Sequence, residues 1–464
     1  MKLFNINISA IMLGLIALQT QNAKAAVIAV VDSGTDVQHV ELAQKIWNNP
    51  GDADDAVDND NNGYIDDIHG WNFADNDDRL MNRKLIGTFG KDDYTYFDLQ
   101  TKALRGEATA DDIAWLRAKV ADSSFLAELE RFANFLHGTH VAGISSRNAD
   151  EAQIMTLRLI GGGDSSKLSF QNSFARLLEE QQGSKASDGN KDKLIRLGLQ
   201  ALAAAQGKGL EAVGKYIASE KARVANCSFG TSRAAIEPLI RPLIEKIMGA
   251  PITDDQLHAY ADFFLTQTAA AMKKSFTDPA KDTLFVIAAG NDGTNNDVAP
   301  TAPANIRADN TITVAATLDT SKLAVFSNYG NTTVDVAAPG VGILSTIPGN
   351  EHLTVSGTSQ AAPYVTQIAG KIIDANPKLT VAQVKQVVLQ TVDQKAFLAG
   401  KVSTGGIANL DRAVRAAKLS LTMPLGNAIQ QSHHDVADMA ETREPMNVSA
   451  AAAQFVLPLP SFLR

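Results

Sequence analysis

Ala26-Val27-Ile28-Ala29-Val30-Val31-Asp32-Ser33-Gly34-Thr35-Asp36 is the stretch that decides the fold class. Val27, Ile28, Val30 and Val31 are β-branched, and nothing polar alternates with them. Such a run predicts a strand buried on both faces, as in a parallel sheet covered by helices. Asp32 then stands at the carboxyl end of the strand, where open α/β sheets place their sites. The plainer role for it is a turn with Gly34. Working outward, residues 222–228, 283–291, 311–317, 334–338 and 343–346 read as further short apolar strands. Helical patterns separate most of them, including 236–247, 263–276, 362–375, 381–391 and 405–418. The expected fold class is α/β: a mostly parallel central sheet flanked by helices on both faces, with helical insertions.

Composition narrows the class. The chain has 464 residues, 45% hydrophobic and 20% charged, with a formal net charge of −9. It can bury a large core, and no basic patch points to a nucleic-acid partner. Cys227 is the only cysteine, so no internal disulfide framework exists. Residues 1–25 read as a signal peptide: Lys2 supplies positive charge, 8–18 is mostly apolar, and Ala23-Lys24-Ala25 fits a small-x-small cleavage site. The apolar run is short for a membrane span, and no later one is longer. The expectation is export, secreted or periplasmic, of a monomer whose mature chain begins near Ala26. The main domain is expected over 26–418, with insertions at about 52–136, 165–219 and 233–262. Residues 419–464 lack a sustained period and are expected to be a poorly ordered extension.

Residues 52–78 are strongly acidic. Asp58-Asn59-Asp60-Asn61-Asn62-Gly63-Tyr64-Ile65-Asp66-Asp67 sets oxygen ligands at alternate positions around a glycine. That is the first half of a calcium loop, with Asp58, Asp60 and Asn62 as side-chain ligands and Tyr64 offering its carbonyl. His69 stands where a bidentate Glu would close the loop, so Asp66 or Asp67 must substitute. A solvated acidic loop is the plainer reading; a structural calcium site is the expectation. Trp71 and Phe73 are expected to anchor the end of the loop in the core.

Residues 111–136 carry apolar residues at helical spacing, with a break at 122–124. They lead into Leu136-His137-Gly138-Thr139-His140-Val141-Ala142-Gly143. Two histidines three apart could share a metal, but no adjacent Glu and no third ligand accompany them. The small residues favour a tightly packed helix start with His137 at its exposed end, free to act as a base. Further on, Ala288-Ala289-Gly290-Asn291 ends a strand; Asn291 either caps a turn or aims an amide into a cleft. Val355-Ser356-Gly357-Thr358-Ser359-Gln360-Ala361-Ala362-Pro363 places a serine among small residues at a helix start. Most such serines are caps, but the position also suits a nucleophile beside backbone N–H donors.

Taken together and in this order, Asp32-Ser33-Gly34, His137-Gly138-Thr139-His140, Ala288-Ala289-Gly290-Asn291 and Gly357-Thr358-Ser359 resemble the subtilisin-like serine proteases, over roughly 27–417. The resemblance implies a subtilisin-like fold and a serine endopeptidase. It implies Ser359 as nucleophile, His137 as base and then acid, and Asp32 as the carboxylate orienting His137. Asn291 and the Ser359 N–H would form the oxyanion hole, and His140 becomes a packing residue. Polypeptide substrates would lie as a strand beside Ser228, Phe229 and Gly230. Their P1 side chain would enter a pocket walled by that segment and by Ala288, Ala289 and Gly290.

The chain departs from its relatives in four places. Gln360 follows the nucleophile where many relatives carry methionine. Cys227 stands beside the substrate strand and by alternation should point into the core. The Asp32–His137 interval is long, so its insertion and the two later ones are expected to roof the cleft. A signal peptide ending near Ala25 leaves no room for the usual pro-domain, so folding proceeds unaided or the C-terminal extension serves a related purpose. Two rival readings are a non-catalytic binding protein on this fold and a metalloprotease built on His137 and His140.

Overall fold

The computed structural model describes residues 26–148, 152–161, 188–442 and 448–461. The expected signal peptide and part of the 165–219 insertion lie outside the described residues. The strands are β1 (Val27–Asp32), β2 (Gly70–Asn72), β3 (Gln153–Arg158), β4 (Val224–Cys227), β5 (Leu284–Ala288) and β6 (Thr311–Leu318). They continue with β7 (Lys322–Leu323), β8 (Val336–Pro339), β9 (Ile343–Ile347), β10 (Glu351–Val355), β11 (Asp393–Gln394) and β12 (Gly406–Ile407). The main sheet runs β11-β12-β8-β6-β5-β4-β1-β3-β2, with β7 on β6 and β9-β10 as a separate hairpin. From β8 to β2 the path is parallel throughout.

β1 pairs with β3 on one side and β4 on the other. The chain therefore reverses its direction of strand addition at β1, and a crevice opens there at the carboxyl ends of the strands. Asp32 sits at that switch point. Alternation along β1 sends Ile28 and Val30 to one face and Ala29 and Val31 to the other. The first face is covered by the helices Ser123–Ser145, Thr358–Ala375, Val381–Gln390 and Leu410–Leu419. The second is covered by Asp188–Gly209, Glu211–Ser219, Arg233–Met248 and Asp254–Met272. Each face thus buries its own apolar layer, as the unbroken apolar strands require.

Three expectations need correction. The break expected at 122–124 is present, between Ala110–Ala121 and Ser123–Ser145, with Asp122 capping the second through the Ser124 and Phe125 N–H groups. That second helix runs straight through His137, which is therefore mid-helix and almost fully buried rather than at an exposed helix start. The insertion has fused to the helix that carries the histidine, so small residues there mark close packing, not a terminus. Gly138 is the contact point: a Cβ on it would lie 2.1 Å from Gly34 O.

The three insertions also do not share one role. Among the described residues, those of the first insertion wall the crevice, chiefly through the Lys91–Arg105 and Ser123–Ser145 helices, and none of the other two do. The described helices of the other two stack on the opposite sheet face. Finally, the extension after 418 is not poorly ordered in its described residues. It holds a helix, Leu425–Asp435, and a segment in which Ala452, Phe455 and Leu459 are buried. Its apolar residues are too irregularly spaced to show a period, yet Ile429, Phe455 and Leu459 are buried.

Candidate active site

Asp32 Oδ1 lies 2.7 Å from His137 Nδ1 and also accepts the Ser33 N–H at 2.7 Å. Asp32 is fully buried. With Nδ1–H donated to the carboxylate, the neutral ring carries its free lone pair on Nε2. Among the described residues Nε2 has no hydrogen-bond partner, and His137 lines the cleft. The helix Thr358–Ala375 starts behind Gly357 and puts Ser359 in its first turn, where N–H groups have no partner within the helix. The Ser359 hydroxyl donates to the Ser228 carbonyl at 3.3 Å rather than to His137. Such nucleophile–base bonds commonly form only in the substrate complex. A ladder fixes the Ser359 backbone: Ser228 Oγ donates to Ser359 O at 3.0 Å, and Asn226 Nδ2 to Ser228 Oγ at 2.9 Å.

Asn291 is aimed by its neighbour across the cleft. Its Oδ1 accepts both the Thr358 N–H at 2.9 Å and the Thr358 hydroxyl at 2.8 Å. The amide oxygen being held from behind, Nδ2 faces the cleft and donates to Leu457 O at 3.0 Å. Gly290 makes the turn that brings Asn291 there, at φ +120° and with Asn328 Nδ2 2.2 Å from where a Cβ would sit. The arrangement therefore offers a hydroxyl, a base held by a buried carboxylate, and a fixed amide donor around one cleft of about 700 Å³. Acyl transfer needs those parts. Residues 23–414 match the Subtilase family of peptidases.

The chain belongs to the subtilase family.

Among curated relatives, it is 40% identical over 114 residues to the thermophilic serine proteinase of Bacillus sp. (strain AK1), covering 25% of this chain and 26% of that one. It is 27% identical over 403 residues to subtilisin-like protease 1 of Plasmodium vivax, covering 86% of this chain and 48% of that one. The subtilase thus spans about half the length of one relative and a quarter of the other. Among solved structures, a cold-adapted subtilisin-like serine proteinase matches with 19% identity and TM-score 0.39, covering 84% of this chain and 88% of that one.

The remaining site residues fall out unevenly in the subtilase. His140 is fully buried and its Nε2 hydrogen-bonds Leu353 O at 3.0 Å. Burial pushes its pKa down to about 3, so it stays neutral and serves packing. The β9-β10 hairpin thus takes up its Nε2. Cys227 ends β4 with its side chain in the core, and burial raises its thiol well above the ordinary range. Of the expected pocket walls, Phe229 turns into the core against Phe276, and Ala288 and Ala289 are fully buried. Gly230 donates its N–H to the carbonyl of Pro460, a residue of the cleft lining. Gln360 is buried beside the nucleophile and lines the cleft.

The acidic loop is only partly assembled as expected. Asp58 Oδ1 and Asp60 Oδ1 both accept the Asn62 N–H, and Asp58 Oδ2 accepts that of Gly63. The Tyr64 ring packs against Trp71, Phe73 and Tyr216. Asp66 turns away and holds the Asp55 and Ala56 N–H groups instead. Its neighbour Asp67 points inward to Asn62, Asn49 and the Tyr216 hydroxyl, and burial raises its carboxyl. Among the described residues no three His, Cys, Asp or Glu side chains converge as a metal site.

Sequence reasoning missed Thr358 as the residue that orients Asn291; a hydroxyl immediately before the nucleophile was the available signal. It also missed Tyr96 and Gln100, which bind the Phe455 carbonyl from the wall of the cleft at 2.9 and 2.6 Å. No local pattern marks them.

Proposed function

We propose that this subtilase is an exported serine endopeptidase acting on polypeptides as a monomer. The observation that carries the reading is the convergence of Asp32, His137, Ser359 and Asn291, from four separated segments, on one cleft at the switch point of the sheet. In the reaction, the Ser359 hydroxyl attacks the substrate carbonyl carbon while His137 Nε2 takes its proton. Asp32 holds the ring and stabilises the imidazolium. The tetrahedral oxyanion is met by Asn291 Nδ2 and the Ser359 N–H, donors already in place before charge develops. His137 then returns the proton to the departing amine, leaving an acyl-enzyme. Water, deprotonated by the same Nε2, releases the acid and restores the serine.

The experiment is hydrolysis of denatured casein by the purified full chain. Wild type should cleave and Ser359→Ala should not, with a chelator leaving the folded wild type active. Activity that survives Ser359→Ala, or a folded enzyme silenced by chelation, would contradict the serine mechanism and favour a metal-dependent one. A folded wild type that binds peptide but never cleaves it would favour the non-catalytic reading.

For export, the support is the charged, then apolar, then Ala-x-Ala order of 1–25. In addition, Ala26 is buried and its N–H donates to Asp374 Oδ1 at 3.1 Å. Cleavage after Ala25 would turn that donor into an ammonium facing a carboxylate. N-terminal sequencing of protein from the envelope or medium should read from Ala26; intact Met1 there would refute cleavage.

The calcium reading is retained with one change, Asp67 in place of Asp66 beside Asp58, Asp60, Asn62 and the Tyr64 carbonyl. The support is the crowding of the Asp58, Asp60 and Asp67 carboxylates around one asparagine, which a hard cation would relieve. Melting with and without calcium tests it, as set out below.

A further inference from the structure

Leu457, Pro458, Pro460 and Ser461, from beyond the subtilase match, line the active-site cleft together with His137, Asn291 and Ser359. Leu457 O accepts the Asn291 amide at 3.0 Å, so the oxyanion donor is already engaged. Three residues on, Pro460 O accepts the Gly230 N–H at 2.9 Å, and Ser461 Oγ lies 2.8 Å from Thr231 Oγ1. Between them Leu459 is 5% exposed, packed so closely on Gly230 that a Cβ there would lie 2.9 Å from its Cδ1. Upstream, Phe455 is 1% exposed, with its carbonyl clamped by the Tyr96 hydroxyl and Gln100 Nε2. Both clamps stand on the inserted Lys91–Arg105 helix. The segment therefore has anchors on both sides of Ser359, one of them supplied by the insertion.

Its register is not that of a peptide held for attack. In a productive complex, the side chain filling the specificity pocket and the carbonyl at the oxyanion donor belong to one residue. Here the side chain against Gly230 is that of Leu459, whereas the carbonyl at Asn291 is that of Leu457. The segment also runs in the same direction as the strand it contacts, since Pro460 meets Gly230 and Ser461 meets Thr231. The bond that follows the Leu457 carbonyl leads into Pro458, whose ring nitrogen carries no hydrogen and restricts the local backbone. A peptide so placed uses the binding donors without presenting a bond for cleavage.

We propose that residues 448–461 form a built-in competitive inhibitor, held by Phe455 and Leu459, that a polypeptide substrate or a processing event must displace before Ser359 can act. The inference rests on the protease reading above. The single Gly230 N–H cannot serve the tail and a substrate at once, and Leu457 O takes one of the two Asn291 Nδ2 hydrogens, so the tail and a substrate compete for the cleft.

The test uses the full chain as wild type, Leu459→Asp and the milder Leu459→Ala, with a short fluorogenic peptide below saturation. Leu459→Asp should hydrolyse it at least tenfold faster than wild type, with Leu459→Ala between them. A synthetic peptide of residues 448–461, added to Leu459→Asp, should restore inhibition by raising KM with kcat unchanged. Equal rates in all three folded proteins, with no effect of the added peptide, would overturn the inference and leave the protease reading standing. If no form hydrolyses substrate while a labelled 448–461 peptide still binds Leu459→Asp, the docking of the tail is upheld and the protease reading fails.

Discussion

The catalytic edge of the sheet and the acidic loop at 49–67 are both crowded with polar side chains, yet they use them differently. In the loop, the Asp58, Asp60 and Asp66 oxygens accept N–H groups of the loop's own backbone. At the catalytic edge, each side chain is held by one end and leaves the other end facing the cleft. Asp32 holds His137 by Nδ1 and leaves Nε2; Thr358 holds Asn291 by Oδ1 and leaves Nδ2. A self-satisfied loop is a structural feature that a cation can stiffen. A half-satisfied set of rigidly held groups is machinery, because its remaining hydrogen bonds go to whatever enters.

That contrast can be broken most severely at Asp32. Asp32→Asn keeps the shape but leaves His137 without a carboxylate to fix its tautomer, so kcat should fall by about 10⁴-fold with the fold intact. Steady-state kinetics beside circular dichroism decides it; a loss below tenfold would mean that the pair is ornamental. Removing the amide donor with Asn291→Ala should cost about 10²- to 10³-fold in kcat with KM little changed, in a chain whose tail is released. A change confined to KM would make Asn291 a ground-state contact only.

The second histidine of the same helix sharpens the comparison, because it faces the core and not the cleft. His140 titrates at about 3 when folded and near 6.5 when unfolded. Between those values the unfolded chain binds the extra proton, so the stability it contributes is complete above about 6.5 and is lost as pH falls. The slope should approach about 1.4 kcal/mol per pH unit well inside that window. Denaturant melts of wild type and His140→Gln from pH 7.5 to 5 should diverge accordingly; parallel curves would contradict the assignment of a buried neutral ring.

The smallest effect belongs to the acidic loop. Millimolar calcium should raise the wild-type melting temperature by about one degree for each 1 kcal/mol of binding, as the size scaling gives for a chain this long. Asp58→Ala with Asp60→Ala should abolish that rise. Identical melts with and without calcium in wild type would leave the loop as a self-contained acidic turn.

Much of this was legible before any coordinates. The apolar runs at β1 and β5 announced a buried parallel sheet because nothing polar interrupts them, and Asp32 and Asn291 stand at the ends of those runs. Ser359 was legible because glycine and small residues around a serine mark a crowded helix start. The position of His137 within its helix was not, since local spacing cannot tell a fused insertion from a separate helix. The tail was least legible: Phe455, Leu457 and Leu459 have no period of their own and acquire meaning only from Tyr96, Gln100, Asn291 and Gly230, hundreds of residues earlier in the chain. A segment folded by another segment's surface carries its signal there.

The central claim is that Ser359 is a nucleophile activated by His137. It is tested most directly by treating the Leu459→Asp chain with a fluorophosphonate and locating the adduct by mass spectrometry. The account predicts one adduct, on the peptide bearing Ser359, lost in the Ser359→Ala and strongly slowed in the His137→Ala version of that chain. No adduct in a folded chain, or one on a different residue that persists without Ser359, would contradict it.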